Sequence, residues 1–178
     1  MFARDPLSNP EFLIRRVYAY AAYRLGDGPD AEDATNDAFE RALRYRDSYD
    51  SDKGEPVAWL IGIARRCVDQ ILADRLPLGE PPEVEAPVHV EDETVNRLEL
   101  SRALRALSAQ DRELVALRYG ADLSARQIAE LLGARTNTIE VALHRVLERL
   151  RRRLAREQSS SQAAPSPEGV RIEPSPPV

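Results

Sequence analysis

The 178-residue chain carries 25 basic and 30 acidic side chains, a net charge of -5 at pH 7, and has room for one medium domain or two small ones. Its single cysteine, Cys67, excludes an intramolecular disulfide. No apolar run approaches the roughly 20 residues that span a bilayer, and the N-terminal MFARDPLSNPEF lacks a signal-peptide core, so a cytoplasmic protein with no membrane insertion is expected.

Taken in chain order, Ile14, Val17, Tyr18, Ala21 and Leu25 share one helical face between Glu11 and Leu25, and Gly26 and Gly28 then break the chain. A second helix starts near Asp30. Ala31, Ala34, Ala38, Phe39, Ala42 and Leu43 form its apolar side, and Glu32, Asp33, Asn36, Asp37 and Glu40 make a strongly acidic outer one. After the polar loop DSYDSDKGEP, Pro56 opens a third helix with the stripe Leu60, Ile63, Ala64, Cys67, Val68 and Ile71. Three amphipathic helices on short loops make a helical domain over residues 1–76.

Residues 77–92 contain four prolines, and the run 79–95 holds six acidic residues and no basic one. Such a composition does not fold alone and reads as a flexible acidic linker. Fully extended, its roughly 16 residues reach about 55 Å. Helical spacing resumes at Val95, Leu98, Leu100, Leu104 and Leu107, and Ser108 with Asp111 caps a helix carrying Leu114, Leu117 and Tyr119.

The richest stretch follows, Leu123 to Leu154. Ser124 with Gln127 is a capping-box start, Ile128, Leu131 and Leu132 are the apolar side of a short helix, and Gly133 ends it. Thr136 is placed to cap the next helix, whose buried stripe is Ile139, Leu143, Val146, Leu147, Leu150 and Leu154. This is the pattern of a helix-turn-helix. Asn137, Thr138, Glu140, Val141, His144 and Arg145 lie in the first turns of the second helix, where base edges are read, and Arg126, Arg135 and Arg149 are placed to hold the phosphate backbone. Residues 96–157 carry 13 basic and eight acidic side chains, so a positive module stands behind the acidic connector. The module spans residues 93–157. The Ser/Pro-rich tail, 158–178, is expected to be disordered.

The same pattern also suits a plain helical hairpin with a solvated charged face, a stand-alone DNA-binding dimer, or a protein that sequesters a partner. Enzyme chemistry is not indicated. His89 falls in the linker and His144 on the second helix, and neither has metal-ligand or nucleophile-base spacing with Cys67. No cofactor is expected.

In this arrangement, two small all-α domains around an acidic linker, the chain resembles the extracytoplasmic-function group of bacterial RNA polymerase sigma factors. VYAYAAYRLGDGPDAEDATNDAFERAL is similar to that family's regions 2.1 and 2.2, AWLIGIARRCVDQIL to region 2.4, and the run from Leu107 to Leu154 to region 4. The resemblance implies a factor that binds core polymerase, recognises promoter minus-35 and minus-10 elements and promotes DNA opening. It implies that Glu32, Asp33, Asn36, Asp37 and Glu40 dock on the coiled coil of the β′ subunit. The second domain would then meet the β flap. Tyr49, Trp59, Arg65 and Arg66 would capture the minus-10 strand, and Arg126, Arg135, Thr136, Asn137, Thr138, Glu140, Val141, His144, Arg145 and Arg149 would engage the minus-35 duplex. The linker would lie in the RNA exit channel. Many relatives are clamped by an anti-sigma factor, which puts such a factor among the expected partners. Two departures are visible: relatives often carry Asn at the position of Arg66, and a basic residue at that of Glu140.

Overall fold

The computed structural model describes residues 5–75 and 102–162, with side chains to residue 156. The Asn9 side chain accepts the Phe12 N–H and opens α1 (Pro10–Leu25), with Pro10 in the first helical position, where an N–H has no helical partner to lose. Helices α2 (Pro29–Arg44) and α3 (Pro56–Arg75) begin on proline for the same reason. A 3-10 turn, Arg46–Ser48, starts the loop between them. Each of the three helices packs on the other two. In α2 the core is made by Ala31, Ala34, Ala38 and Ala42, and side chains this small let its neighbours close on its axis. An Arg75–Asp30 ion pair ties the end of α3 to the start of α2.

The buried stripe of α1 is Leu13, Val17, Tyr20, Ala21 and Arg24, not the face running from Ile14 to Leu25 that the spacing predicts. Ile14 is 46% exposed. Both stripes obey helical periodicity, and the choice is made by what covers Tyr20 and Arg24, described below. Leu43, expected on the inner side of α2, is 62% exposed.

The second lobe begins with a helical stretch at 102–105. Arg112 donates to the carbonyls of Leu104, Arg105 and Leu107, satisfying acceptors at the end of that stretch. The Ser108 hydroxyl accepts the Asp111 N–H and opens α4 (Ala109–Val115). A π-helical turn follows, Ala116–Gly120, in which the Ala121 N–H reaches back to Ala116 O at 2.9 Å. Then come α5 (Ala125–Leu132) and α6 (Thr136–Gln162). Both halves of the Ser124/Gln127 capping box are formed, and Gly133 ends α5 in the left-handed region at φ 64°, which favours glycine. The Ile139 N–H bonds to Arg135 O at 3.2 Å, so Arg135 takes the cap position and Thr136 is already helical. Helix α6 runs to Gln162, past the boundary expected at residue 157. The expected linker, 77–92, and the tail beyond Gln162 lie outside the described residues.

The two lobes share one core. Leu13, Val17 and Tyr20 of α1 and Leu60, Ile61 and Val68 of α3 belong to the same buried cluster as Leu114, Leu117, Leu123, Ile128, Ile139 and Val146. The π-helical turn lies directly on α1. At Gly120 the approach is backbone to backbone: a Cβ there would stand 2.8 Å from Tyr20 N and 2.9 Å from Ala19 C and O, so only glycine fits. No helix among the described residues is long and apolar enough to cross a membrane.

Candidate polymerase and promoter interfaces

The alanine side of α2 turns Glu32, Asp33, Asn36, Asp37 and Glu40 outward, and all five are exposed. Asp37 pairs with Arg41 at 3.5 Å and Glu40 with Arg44 at 2.6 Å. Exposed pairs of this kind contribute about 0.3–0.5 kcal/mol each, so the fold does not depend on them. The exposed Leu43 lies one turn beyond Glu40, and Tyr45 follows at the helix end. The acidic surface therefore adjoins an exposed leucine, a feature that the helical spacing hid by assigning Leu43 to the core.

The loop before α3 is ordered by its own side chains. Lys53 pairs with Asp50 at 3.1 Å and the Asp52 N–H donates to the same carboxylate. The hydrogen bond from Lys53 and that from Asp52 hold the Asp50 carboxyl below its usual range. The Tyr49 hydroxyl donates to Gly54 O at 2.9 Å, and its ring meets Trp59 edge-on, with centroids 5.5 Å apart at 62°. Trp59 is half-buried against the core. The four expected minus-10 residues do not converge on one pocket. Tyr49 and Trp59 form an aromatic pair, Arg66 is exposed, and Arg65 turns to the other lobe, where its Nε donates to Glu113 Oε1 at 2.9 Å.

In the helix-turn-helix, Ile139, Leu143 and Val146 anchor α6 to the core. Arg135, Thr136, Asn137, Thr138, Glu140, Val141, His144 and Arg145 all face solvent. Asn137, Val141, His144 and Arg145 share one face, and Val141 is an apolar spot within it, 43% exposed. Such a side chain suits contact with a thymine methyl in the major groove. Two of the expected phosphate-holding arginines are engaged within the chain: Arg126 with Glu130 at 2.9 Å and Arg149 with Asp111 at 2.7 Å. His144 lies 3.9 Å from Glu148.

Between the lobes sits a cluster that sequence reasoning did not identify. Glu113, 8% exposed, accepts the Tyr20 hydroxyl at 3.2 Å and the Arg65 Nε–H, and pairs with Arg24. Arg24, 6% exposed, also donates to Tyr20 Oη at 3.1 Å and to Asp69 at 3.0 Å. Burial raises the Tyr20 hydroxyl above its ordinary pKa, with Arg24 opposing. Only the placement of Arg24 on an otherwise apolar stripe could have signalled the cluster.

Both lobes are similar to known proteins. Residues 13–75 match Sigma-70 region 2, and residues 97–150 match Sigma-70, region 4. The chain is 34% identical over 147 residues to the ECF RNA polymerase sigma factor BldN of Streptomyces coelicolor, covering 78% of this chain and 56% of that one. Against the ECF RNA polymerase sigma factor SigK of Mycobacterium sp. (strain KMS), identity is 31% over 135 residues and 70% of each chain is covered. In fold it is similar to the sigma factor RpoE of Bartonella quintana, solved with the anti-sigma factor NepR, at a TM-score of 0.63 and 22% identity over 82% of this chain and 93% of that chain. CnrH, solved with the cytosolic domain of CnrY, aligns at a TM-score of 0.55 and 18% identity over 85% of this chain and 82% of that chain. With both regions matched in order and relatives above 30% identity, the chain belongs to the sigma-70 family, in its extracytoplasmic-function group of RNA polymerase sigma factors.

Proposed function

We propose that this sigma factor divides promoter initiation among three surfaces: the acidic face of α2 for docking on core polymerase, the Tyr49 loop and α3 for the minus-10 strand, and α5–α6 for the minus-35 duplex. The observation that carries the reading is the helix-turn-helix. Its first helix is fixed by a complete capping box, its second is anchored by Ile139, Leu143 and Val146, and its first-turn polar side chains all face solvent. That is what reading base edges in the major groove requires. Residues 1–76 and 93–157 are the two working domains, and 77–92 is their connector. The protein acts in the cytoplasm, where polymerase meets DNA. Bartonella RpoE was solved with an anti-sigma factor, and the proposal includes a regulator of that class for this chain.

Acidic docking residues chiefly speed and orient association, and DNA affinity is then expected from the assembled enzyme. Promoter-fragment binding, followed by mobility shift for the chain alone and for the chain with core polymerase, tests this. Tight, sequence-specific binding only in the presence of polymerase is expected. Equal binding by the free chain would favour a stand-alone helix-turn-helix regulator.

A further inference from the structure

We propose that the proline-rich segment 163–178 docks, within its own chain, on a strip of aromatic side chains formed by Phe12, Tyr23 and Tyr119. The inference is independent of how the polymerase and promoter surfaces are assigned.

Phe12, Arg16, Ala19 and Tyr23 recur along α1 at the i, i+4, i+7, i+11 spacing of a single helical face. At about 1.5 Å per residue this strip is about 16 Å long. The Arg16 guanidinium stands over the Phe12 ring, 4.9 Å from its centroid, and pairs with Asp122 at 2.7 Å. The Gly120 backbone lies on Ala19 and Tyr20, which sets Tyr119 beside the half-buried Tyr23. Burial, and then the neighbouring Tyr119, raise the Tyr23 hydroxyl above its ordinary pKa. Phe12 is 37% exposed and Tyr119 48%. Other exposed apolar side chains adjoin surfaces already described, Leu43 and Tyr45 at the acidic face of α2 and Val141 on α6. Phe12 and Tyr119 belong to neither.

Composition and reach point to the segment after α6 as the occupant. It holds five prolines, and proline-rich chain docks on aromatic surfaces at low ordering cost, because its restricted backbone has little freedom left to lose. Between the prolines stands the run EGVRIE. Its Val170 and Ile172 supply apolar contact, and its charges match the edges of the strip, with Glu168 and Glu173 for Arg15 and Arg16 and Arg171 for the exposed Asp122. From the buried Val146 to Gln162, α6 runs about 24 Å. Residues 163–178 reach about 50 Å at the roughly 3.1 Å per residue of extended proline-rich chain. Folding back along α6 uses about half of that reach. The remaining length of about 26 Å exceeds what the strip requires.

Arg171 is the one basic residue of 158–178, so trypsin reads the docked state directly. In the full chain, the initial rate at which residues 172–178 are released is followed by mass spectrometry. Each rate is divided by that of a free peptide of residues 163–178 bearing the same tail sequence. Cleavage of the parent should be at least fivefold slower than that of the peptide, which corresponds to a docked fraction of at least about 80% when cutting follows the open population. Phe12→Ser with Tyr119→Ser, and separately Val170→Ser with Ile172→Ser, should each restore the peptide's rate at unchanged helicity. Protection should be the same at low and high micromolar chain. A parent cut as fast as the peptide, or protection that survives either pair of substitutions, would overturn the proposal. Protection seen only at high concentration would place the segment on a second copy and overturn it equally. Should the strip pair lose helicity, Phe12→Ser alone decides.

Discussion

Glu140 is the only carboxylate from Thr136 to Val146, and it faces solvent on the helix assigned to the minus-35 element. His144, its neighbour one turn on, lies instead near Glu148. A carboxylate in the major groove repels phosphates but accepts a hydrogen bond from the cytosine amino group. Glu140→Lys is therefore expected to raise nonspecific DNA affinity and to relax one base preference by about 1–3 kcal/mol, the usual value of a good base contact. Selection of a minus-35 library by the two holoenzymes reads this directly, and identical preferences at every position would remove Glu140 from base reading. Cys67 gives a check on the fold. Burial pushes its thiol above the ordinary value, so the neutral thiol favours the folded state below the unfolded pKa of about 8.5. That contribution is lost as pH rises through the higher folded value. Alkylation at pH 8.5 should be slow in the native chain and fast in denaturant, and equal rates would contradict the burial of Cys67.

At the scale of elements, what the sequence made legible was local. Ser124 and Gln127, Gly133, and the stripe from Ile139 through Leu143 to Val146 are signals whose partners lie within a few residues, and each is found where the spacing predicts it. The face of α1 was not legible. Ile14, Val17, Tyr18, Ala21, Leu25 and Leu13, Val17, Tyr20, Ala21, Arg24 are equally periodic, and tertiary contact, with α2 and α3 as well as with the second lobe, selects between them. Leu43 misled for the opposite reason, an apolar residue at a plausible core spacing that nothing covers. The acidic face of α2 stands apart from the core, so Asp33→Arg with Asp37→Arg should weaken capture of core polymerase at least tenfold without altering helicity. Pull-down equal to wild type would free that face from the docking role. In α3, Arg66→Ala should lower permanganate reactivity of minus-10 thymines while leaving helicity unchanged, because Arg66 is exposed and Arg65 holds the contact with Glu113. Equal loss of minus-35 duplex binding would mark Arg66 as a general electrostatic contact.

The whole molecule departs most from what its sequence suggests. Two amphipathic sets around a proline-rich acidic stretch read as independent domains, yet Tyr20 and Glu113, 93 positions apart, meet in one buried cluster. No helical periodicity encodes such a pairing, since each partner looks like an ordinary polar residue in its own helix. The matched family regions establish what kind of protein this is, and the proposed division of labour among α2, α3 and α6 builds on it. The most direct measurement is transcription in vitro by core polymerase reconstituted with this chain on a genomic fragment library, with transcript 5′ ends mapped. That division of labour predicts starts that require the chain, share paired minus-35 and minus-10 sequences, and disappear with the Asp33→Arg, Asp37→Arg variant. Starts that persist with that variant, or that share no minus-35 sequence, would contradict it.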